Sequence, residues 1–176
     1  GRAKQGGDEA KVTELNDGTI LMSIRRQSKG ARYYVKSTDK GLTWGELSEW
    51  DEMIEPNCNG DLIRYTSVED GYEKNRLLHS IPNHATNREN VSVFISYDEG
   101  QTWPVKKSIC PTGSAYSSLA ILSDGTIGAY VEENYGTENY SLYFNNFSLE
   151  WLTDNADTYY PSGETTVTKA PAFSVP

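Results

Sequence analysis

Two stretches of this chain are near copies of one another. Ser37-Thr38-Asp39-Lys40-Gly41-Leu42-Thr43-Trp44 and Ser96-Tyr97-Asp98-Glu99-Gly100-Gln101-Thr102-Trp103 both read S-x-D-x-G-x-T-W, and they begin 59 residues apart. Repeats spaced by roughly 20–50 residues or slightly more mark units that stack or array, because each buries its apolar face only against a neighbour. The residue types suit a structural turn. An Asp side chain accepts backbone N–H groups in a tight turn, Gly admits positive φ, and a Trp ring can fill the seam between adjacent sheets. The octapeptide therefore constrains the fold before it says anything about chemistry.

The segments between the copies have period-two character. Ala10–Leu15, the turn Asn16-Asp17-Gly18 and Thr19–Arg25 predict a hairpin, and Arg32–Lys36 predicts a third strand entering the first octapeptide. The pattern returns with Leu62–Thr66, Leu77–Ile81 and Asn90–Ser96 ahead of the second copy. It returns again with Ser117–Leu122, the turn Ser123-Asp124-Gly125, Thr126–Glu132 and Tyr140–Phe144. After that third pass, Asn145–Trp151 keeps only the Trp and predicts a degenerate third copy. The expected fold is all-β, with about three small antiparallel sheets of blade geometry over residues 1–154 and a polar tail over 155–176 that packs on them. Three blades do not close a ring, since propellers have roughly 4–8, so the expectation is part of a larger propeller.

Composition excludes several classes. Sixteen Lys and Arg against 25 Asp and Glu give a formal charge of −9, the opposite of the basic footprint a general nucleic-acid binder needs. A few local arginines can still hold an anionic small ligand. No run of about 18 apolar residues is present to span a membrane, and Gly1–Gly7 lacks the apolar core of a signal peptide. Cys58 and Cys110 form no C-x-x-C pair, which disfavours a zinc site, and two buried thiols are expected over a disulfide. No motif calls for a metal, nucleotide or flavin, so no cofactor is expected.

S-x-D-x-G-x-T-W is the Asp-box, and the residues between the boxes make the resemblance specific. Over roughly residues 8–153 the chain resembles the C-terminal half of a bacterial exo-α-sialidase catalytic domain, whose fold is a six-bladed propeller with the site on its axis. Glu9-Ala10-Lys11-Val12-Thr13-Glu14-Leu15-Asn16-Asp17-Gly18 matches the family's E-x-x-V-x-x-L-x-D-G, which implies a catalytic role for Glu9. Arg25, sixteen residues on, and Arg88, ahead of the second box, match arginines that bind the substrate carboxylate, while Arg26 should point to the other face of its strand. Gly113-Ser114-Ala115-Tyr116-Ser117-Ser118-Leu119 matches the segment of the nucleophilic tyrosine, so Tyr116 takes that role, and Glu132 in Tyr130-Val131-Glu132 matches a glutamate that orients an arginine. Asn59, in Cys58-Asn59-Gly60-Asp61, is either an ordinary Asn-Gly turn or a pocket residue meeting the glycerol or N-acyl side of the sugar.

The resemblance implies a retaining exo-α-sialidase acting on sialoglycoconjugates through a tyrosine nucleophile. Guanidinium groups bind carboxylates in a fixed fork. The substrate's own carboxylate repels an anionic nucleophile, and a phenol avoids that repulsion. A phenol with a pKa near ~10 needs a base within hydrogen-bond reach, the role implied for Glu9. The family's acid/base Asp and first carboxylate-binding Arg belong to an N-terminal half, the implied partner, so the segment alone is expected to be inactive. A secreted, periplasmic or cell-surface setting follows from the resemblance alone. Two other readings stay open: an intramolecular trans-sialidase with the same residues, and a non-catalytic Asp-box binding module, against which the Glu9/Tyr116 pair argues.

Overall fold

A computed structural model describes residues 1–136 and 139–160. Residues 161–176, most of the expected tail, lie outside the described residues. The fold is nearly all β. Strands β1 (Ala10–Glu14), β2 (Ile20–Ile24), β3 (Gly30–Ser37) and β4 (Ser48–Glu55) form a four-stranded sheet in chain order. Strands β5 (Asp61–Thr66), β6 (Arg76–Pro82), β7 (Glu89–Ser96), β8 (Val105–Ile121), β9 (Ile127–Glu133) and β10 (Ser141–Phe147) form a six-stranded sheet, also in chain order. Every pairing is antiparallel. Among the described residues no helix is long and apolar enough to cross a membrane, and Cys58 and Cys110 are buried free thiols.

The six-stranded sheet divides within β8. Its first half pairs with β7 from Val105 to Gly113, and its second half pairs with β9 from Ser114 to Ile121. Gly113 sits at the crossover, where a Cβ would stand 2.1 Å from the Asn134 side-chain oxygen, so a side chain here would force the Asn134 side chain to move. One strand thus closes the middle unit and opens the last.

Burial explains why the units sit face to face. Successive residues of a strand point to opposite faces, and in β6 every residue is buried. Leu77 joins Leu15, Leu21, Trp50, Met53 and Phe94 in a core against the four-stranded sheet. Leu78 joins Val93, Leu119, Ile127 and Phe147 in a second core on the far side. The middle unit is therefore packed on both faces, and its sequence lacks the apolar/polar alternation of a one-faced sheet.

Both octapeptides build the same turn. The Ser37 hydroxyl donates to Asp39 at 2.8 Å and accepts from the Gly41 N–H at 2.9 Å, while the Asp39 carboxylate takes the Thr43 N–H at 2.8 Å and its hydroxyl at 2.6 Å. Ser96, Asp98, Gly100 and Thr102 repeat these bonds at 2.8, 2.9, 2.9 and 2.6 Å. Trp103 is buried between the sheets, edge-on to Trp50 at 5.2 Å, and Trp44 is half-buried.

Several elements differ from the sequence-based expectation. Asn145–Trp151 is not a third box: its first three residues end β10, and Ser148 caps the short helix α1 (Leu149–Leu152), which carries Trp151. β4 and the first half of β8 are additional strands. Residues 156–160 are held by chemistry that polarity alone conceals. Asp157 accepts from Arg76 Nε at 2.7 Å and Nη2 at 2.8 Å, and Tyr159 lies against Tyr65 and hydrogen-bonds the Tyr72 hydroxyl at 2.8 Å.

Candidate active site

The hairpin of β1 and β2 places the first two residues. Ala10 pairs with Ile24, and the ladder continues one step through the Arg25 N–H to the Glu9 carbonyl at 2.9 Å. Glu9 and Arg25 are therefore direct cross-strand neighbours, and their sixteen-residue spacing is set by the Asn16-Asp17-Gly18 turn. Their side chains meet, with Arg25 Nη1 at 2.6 Å from the Glu9 carboxylate. Arg26, next along, turns to the other face, where its guanidinium donates to the Ala31 carbonyl and lies 4.3 Å from the centre of the Tyr33 ring.

Tyr116 arrives from the far end of the chain. It sits in β8 just after the crossover, within an irregularity of the β8–β9 ladder between Ser114 and Ser117. Such a bulge bends the strand and re-aims a side chain. The Tyr116 hydroxyl donates to Glu9 Oε1 at 2.8 Å and accepts from Arg25 Nη1 at 3.0 Å. Three groups separated by as much as 107 residues of chain thus share one hydrogen-bonded cluster.

Arg88 stands in the turn before β7, exposed, with its guanidinium 5.7 Å from the centre of the Tyr116 ring. Its Nη2 donates to the Asn57 carbonyl at 3.2 Å, and the Asn57 side-chain oxygen accepts from Arg25 Nε at 2.8 Å. Asn57 was not singled out by sequence reasoning. Pro56-Asn57 looks like any turn, and only the backbone reveals its left-handed conformation, φ 63°. Asn59, the neighbour that sequence reasoning did name, is half-buried and bonds the Gly60 N–H at 2.8 Å, closing its own turn. Glu132 accepts the Tyr116 backbone N–H at 3.3 Å and the Tyr130 hydroxyl at 3.4 Å, whereas Arg25 and Arg88 have the partners just described.

The electrostatics divide charge and proton cleanly. Burial pushes the Glu9 carboxyl upward, but the bonds from Tyr116 and Arg25 outweigh it and hold the group below the usual glutamate range. The bond to Glu9, helped by burial, raises the Tyr116 phenol above its ordinary value, although Arg25 opposes the shift. Burial disfavours the Arg25 charge, and the bonded Glu9 more than restores it. At neutral pH the cluster is a carboxylate, a neutral phenol and a guanidinium: a proton donor facing a charged acceptor, with a cation beside both.

A buried polar layer supports this cluster. Arg32 Nε donates to the Ser23 hydroxyl at 2.9 Å, and Ser23 bonds His79 Nε2 at 2.7 Å. Glu55 pairs with Arg32 at 3.3 Å and takes the N–H groups of Arg26 at 3.1 Å and Cys58 at 2.6 Å, fixing the loop that carries Asn57. Burial, with Arg32 nearby, keeps His79 uncharged.

Comparison with known proteins agrees with this architecture. The BNR repeat-like domain family matches residues 2–129. The chain is 35% identical over 150 residues to a sialidase of Micromonospora viridifaciens, covering 84% of this chain and 22% of that protein. It is 30% identical over 136 residues to a sialidase of Bacteroides fragilis, covering 75% of this chain and 25% of that protein. Among solved structures, a leech intramolecular trans-sialidase complexed with 2,7-anhydro-Neu5Ac superposes with a TM-score of 0.73 at 27% identity, over 84% of this chain and 24% of that one. The chain thus spans about a quarter of the length of these relatives. On the match across residues 2–129, the chain belongs to the BNR repeat-like domain family, with sialidases as its relatives.

Proposed function

We propose that this chain is the C-terminal half of a six-bladed propeller and supplies the nucleophile side of a retaining exo-α-sialidase. The observation that carries the reading is the Tyr116 hydroxyl held 2.8 Å from the Glu9 carboxylate and 3.0 Å from Arg25 Nη1. A binding module needs the arginines but has no use for a phenol facing a base.

Arg25 and Arg88 bind the carboxylate of a terminal sialic acid, which orients the anomeric carbon toward Tyr116. Glu9 takes the phenolic proton as the Tyr116 oxygen bonds to that carbon, and the bond to the leaving alcohol breaks. The alcohol is protonated by an acid from the remainder of the propeller. Water, giving a proton to the now-deprotonated upstream acid, then attacks the anomeric carbon, the bond to the phenolic oxygen breaks, Glu9 returns the proton to Tyr116, and two inversions give net retention. Glu132 helps hold an arginine from the same remainder, and Asn59 borders the pocket without a direct catalytic part. The setting is extracytoplasmic.

The test is Tyr116→Phe and, separately, Glu9→Gln in the full-length protein, assayed on an aryl sialoside. Removing a positioned base typically costs about 10²–10⁴-fold, and each variant is expected to lose kcat/KM by at least about a hundredfold. Near-normal hydrolysis by Tyr116→Phe would overturn the assignment. The leech neighbour favours one second reading, intramolecular transfer, which NMR of the released sugar distinguishes by its anhydro product.

A further inference from the structure

Arg25 and Arg88 come from different sheets, and no bond joins them directly. What they share is Asn57. Its side-chain oxygen takes the Arg25 Nε–H at 2.8 Å and its main-chain oxygen takes the Arg88 Nη2–H at 3.2 Å. We infer that Asn57 is the positioning residue that sets the separation and aim of the two guanidinium groups, so that together they form one anion-binding site. This inference rests on the sialidase reading for the identity of the anion.

Three features argue for an asparagine at this position. The first is conformation. At φ 63° the carbonyl of residue 57 is turned toward Arg88, and Asn enters this left-handed region more readily than other residues with a Cβ. The second is charge. Arg25 already faces the Glu9 carboxylate at 2.6 Å and Asp8 at 3.8 Å. An amide oxygen can orient Nε without adding a third negative group, so positive potential remains for an incoming carboxylate. The third is anchoring. The next residue, Cys58, is held through its N–H by buried Glu55 at 2.6 Å, so the carbonyl and side chain of Asn57 project from a fixed base.

The two contacts can be separated by substitution. Asn57→Gly keeps left-handed backbone accessible and removes only the bond to Arg25. Asn57→Asp keeps the shape and adds a charge facing the substrate carboxylate. In the full-length protein, Asn57→Gly is expected to raise KM for an aryl sialoside about tenfold, the equivalent of one hydrogen bond to a charged group, with kcat little changed. Asn57→Asp is expected to raise KM further, about a hundredfold, with the unfolding midpoint near that of the parent.

A purely structural role would instead lower the unfolding midpoint or the active fraction and leave KM alone, and that outcome overturns the inference. A second readout needs no substrate. NMR of arginine side chains, assigned through Arg25→Lys, should show slow solvent exchange of the Arg25 Nε–H in the parent and fast exchange in Asn57→Gly. Equal exchange in both overturns the inference, whether or not the protein hydrolyses sialosides. A parent that is inactive on sialosides but shows the exchange difference overturns only the sialidase reading.

Discussion

The proton between Tyr116 and Glu9 is held by a balance of neighbours, and that balance is open to titration. Glu9 is the largest upward influence on the phenol, and Arg25 pulls the other way. In Glu9→Gln the upward influence goes and the guanidinium stays, so the Tyr116 phenol should ionise at lower pH than in the parent. Ultraviolet difference titration against Glu9→Gln/Tyr116→Phe isolates that group from the other tyrosines. At this scale, legibility in the sequence follows the local geometry. Glu9 and Arg25 are readable because an Asp-Gly turn fixes a hairpin register, and register makes neighbours of residues sixteen apart. Asn57 is unreadable because its role depends on a positive φ and on two arginines arriving from separate sheets. Asn59, one turn away and equally polar, spends its oxygen on its own loop.

A strong turn makes a strand easiest to place, and β3, β5, β6, β7 and β10 are legible without one, whereas β4 and the first half of β8 are not. β1, β2, β8 and β9 flank Asn-Asp-Gly or Ser-Asp-Gly, where Leu15 and Leu122 close equivalent loops to Thr19 and Thr126 at 2.8 and 2.9 Å. β4 carries Glu49, Asp51, Glu52 and Glu55, and its register slips opposite Ala31/Arg32, so no clean alternation survives in its sequence. The first half of β8 lies between Pro104 and Pro111 with two lysines, which hides a strand whose partner alone defines it. The boxes behave as structural turns, and in the second box the tryptophan also couples the sheets. Trp103 reaches the four-stranded sheet through Trp50, whose indole N–H donates to the Gly100 carbonyl at 2.8 Å. Trp103→Ala is expected to cost about 3–5 kcal/mol, as truncation of a buried aromatic does, and denaturant unfolding of the full-length protein measures it.

Across the whole molecule, the segment that carries Asp157 works as a clamp. Asp157 joins Arg76 and Lys74 of the middle unit, both hydrogen-bonding it, to the end of α1. Burial raises the Asp157 carboxyl, but the bonds from Arg76 and Lys74 prevail and bring it to about 2 against an ordinary 3.8. A depressed carboxyl stabilises the folded state fully above its unfolded value and loses that contribution as pH falls through the folded one. Asp157→Asn should therefore cost about 3–5 kcal/mol at neutral pH, because it strands a buried guanidinium. The gap from the parent should narrow as pH drops from about 4 toward 2, which denaturant melts across that range would reveal. On the edge strand β10, Leu142, Tyr143 and Phe144 are exposed on consecutive positions, so both faces of that strand are open there.

The undivided β8 gives this arrangement a mechanical meaning. Because one strand is the outer rail of one unit and the inner rail of the next, those two units are tied by unbroken chain and by two main-chain bonds at the changeover, from the Ser114 N–H to the Arg88 carbonyl and from the Asn134 N–H to the Gly113 carbonyl, each 2.9 Å. The first sheet is joined to them by a loop and side chains. The cluster of Glu9, Arg25 and Tyr116 bridges the joint between the first sheet and the second. Opening of that joint would part Glu9 from Tyr116 and expose the core that Leu77 shares with Leu21 and Trp50, so the integrity of the Glu9–Tyr116 bond reports on docking of the two sheets.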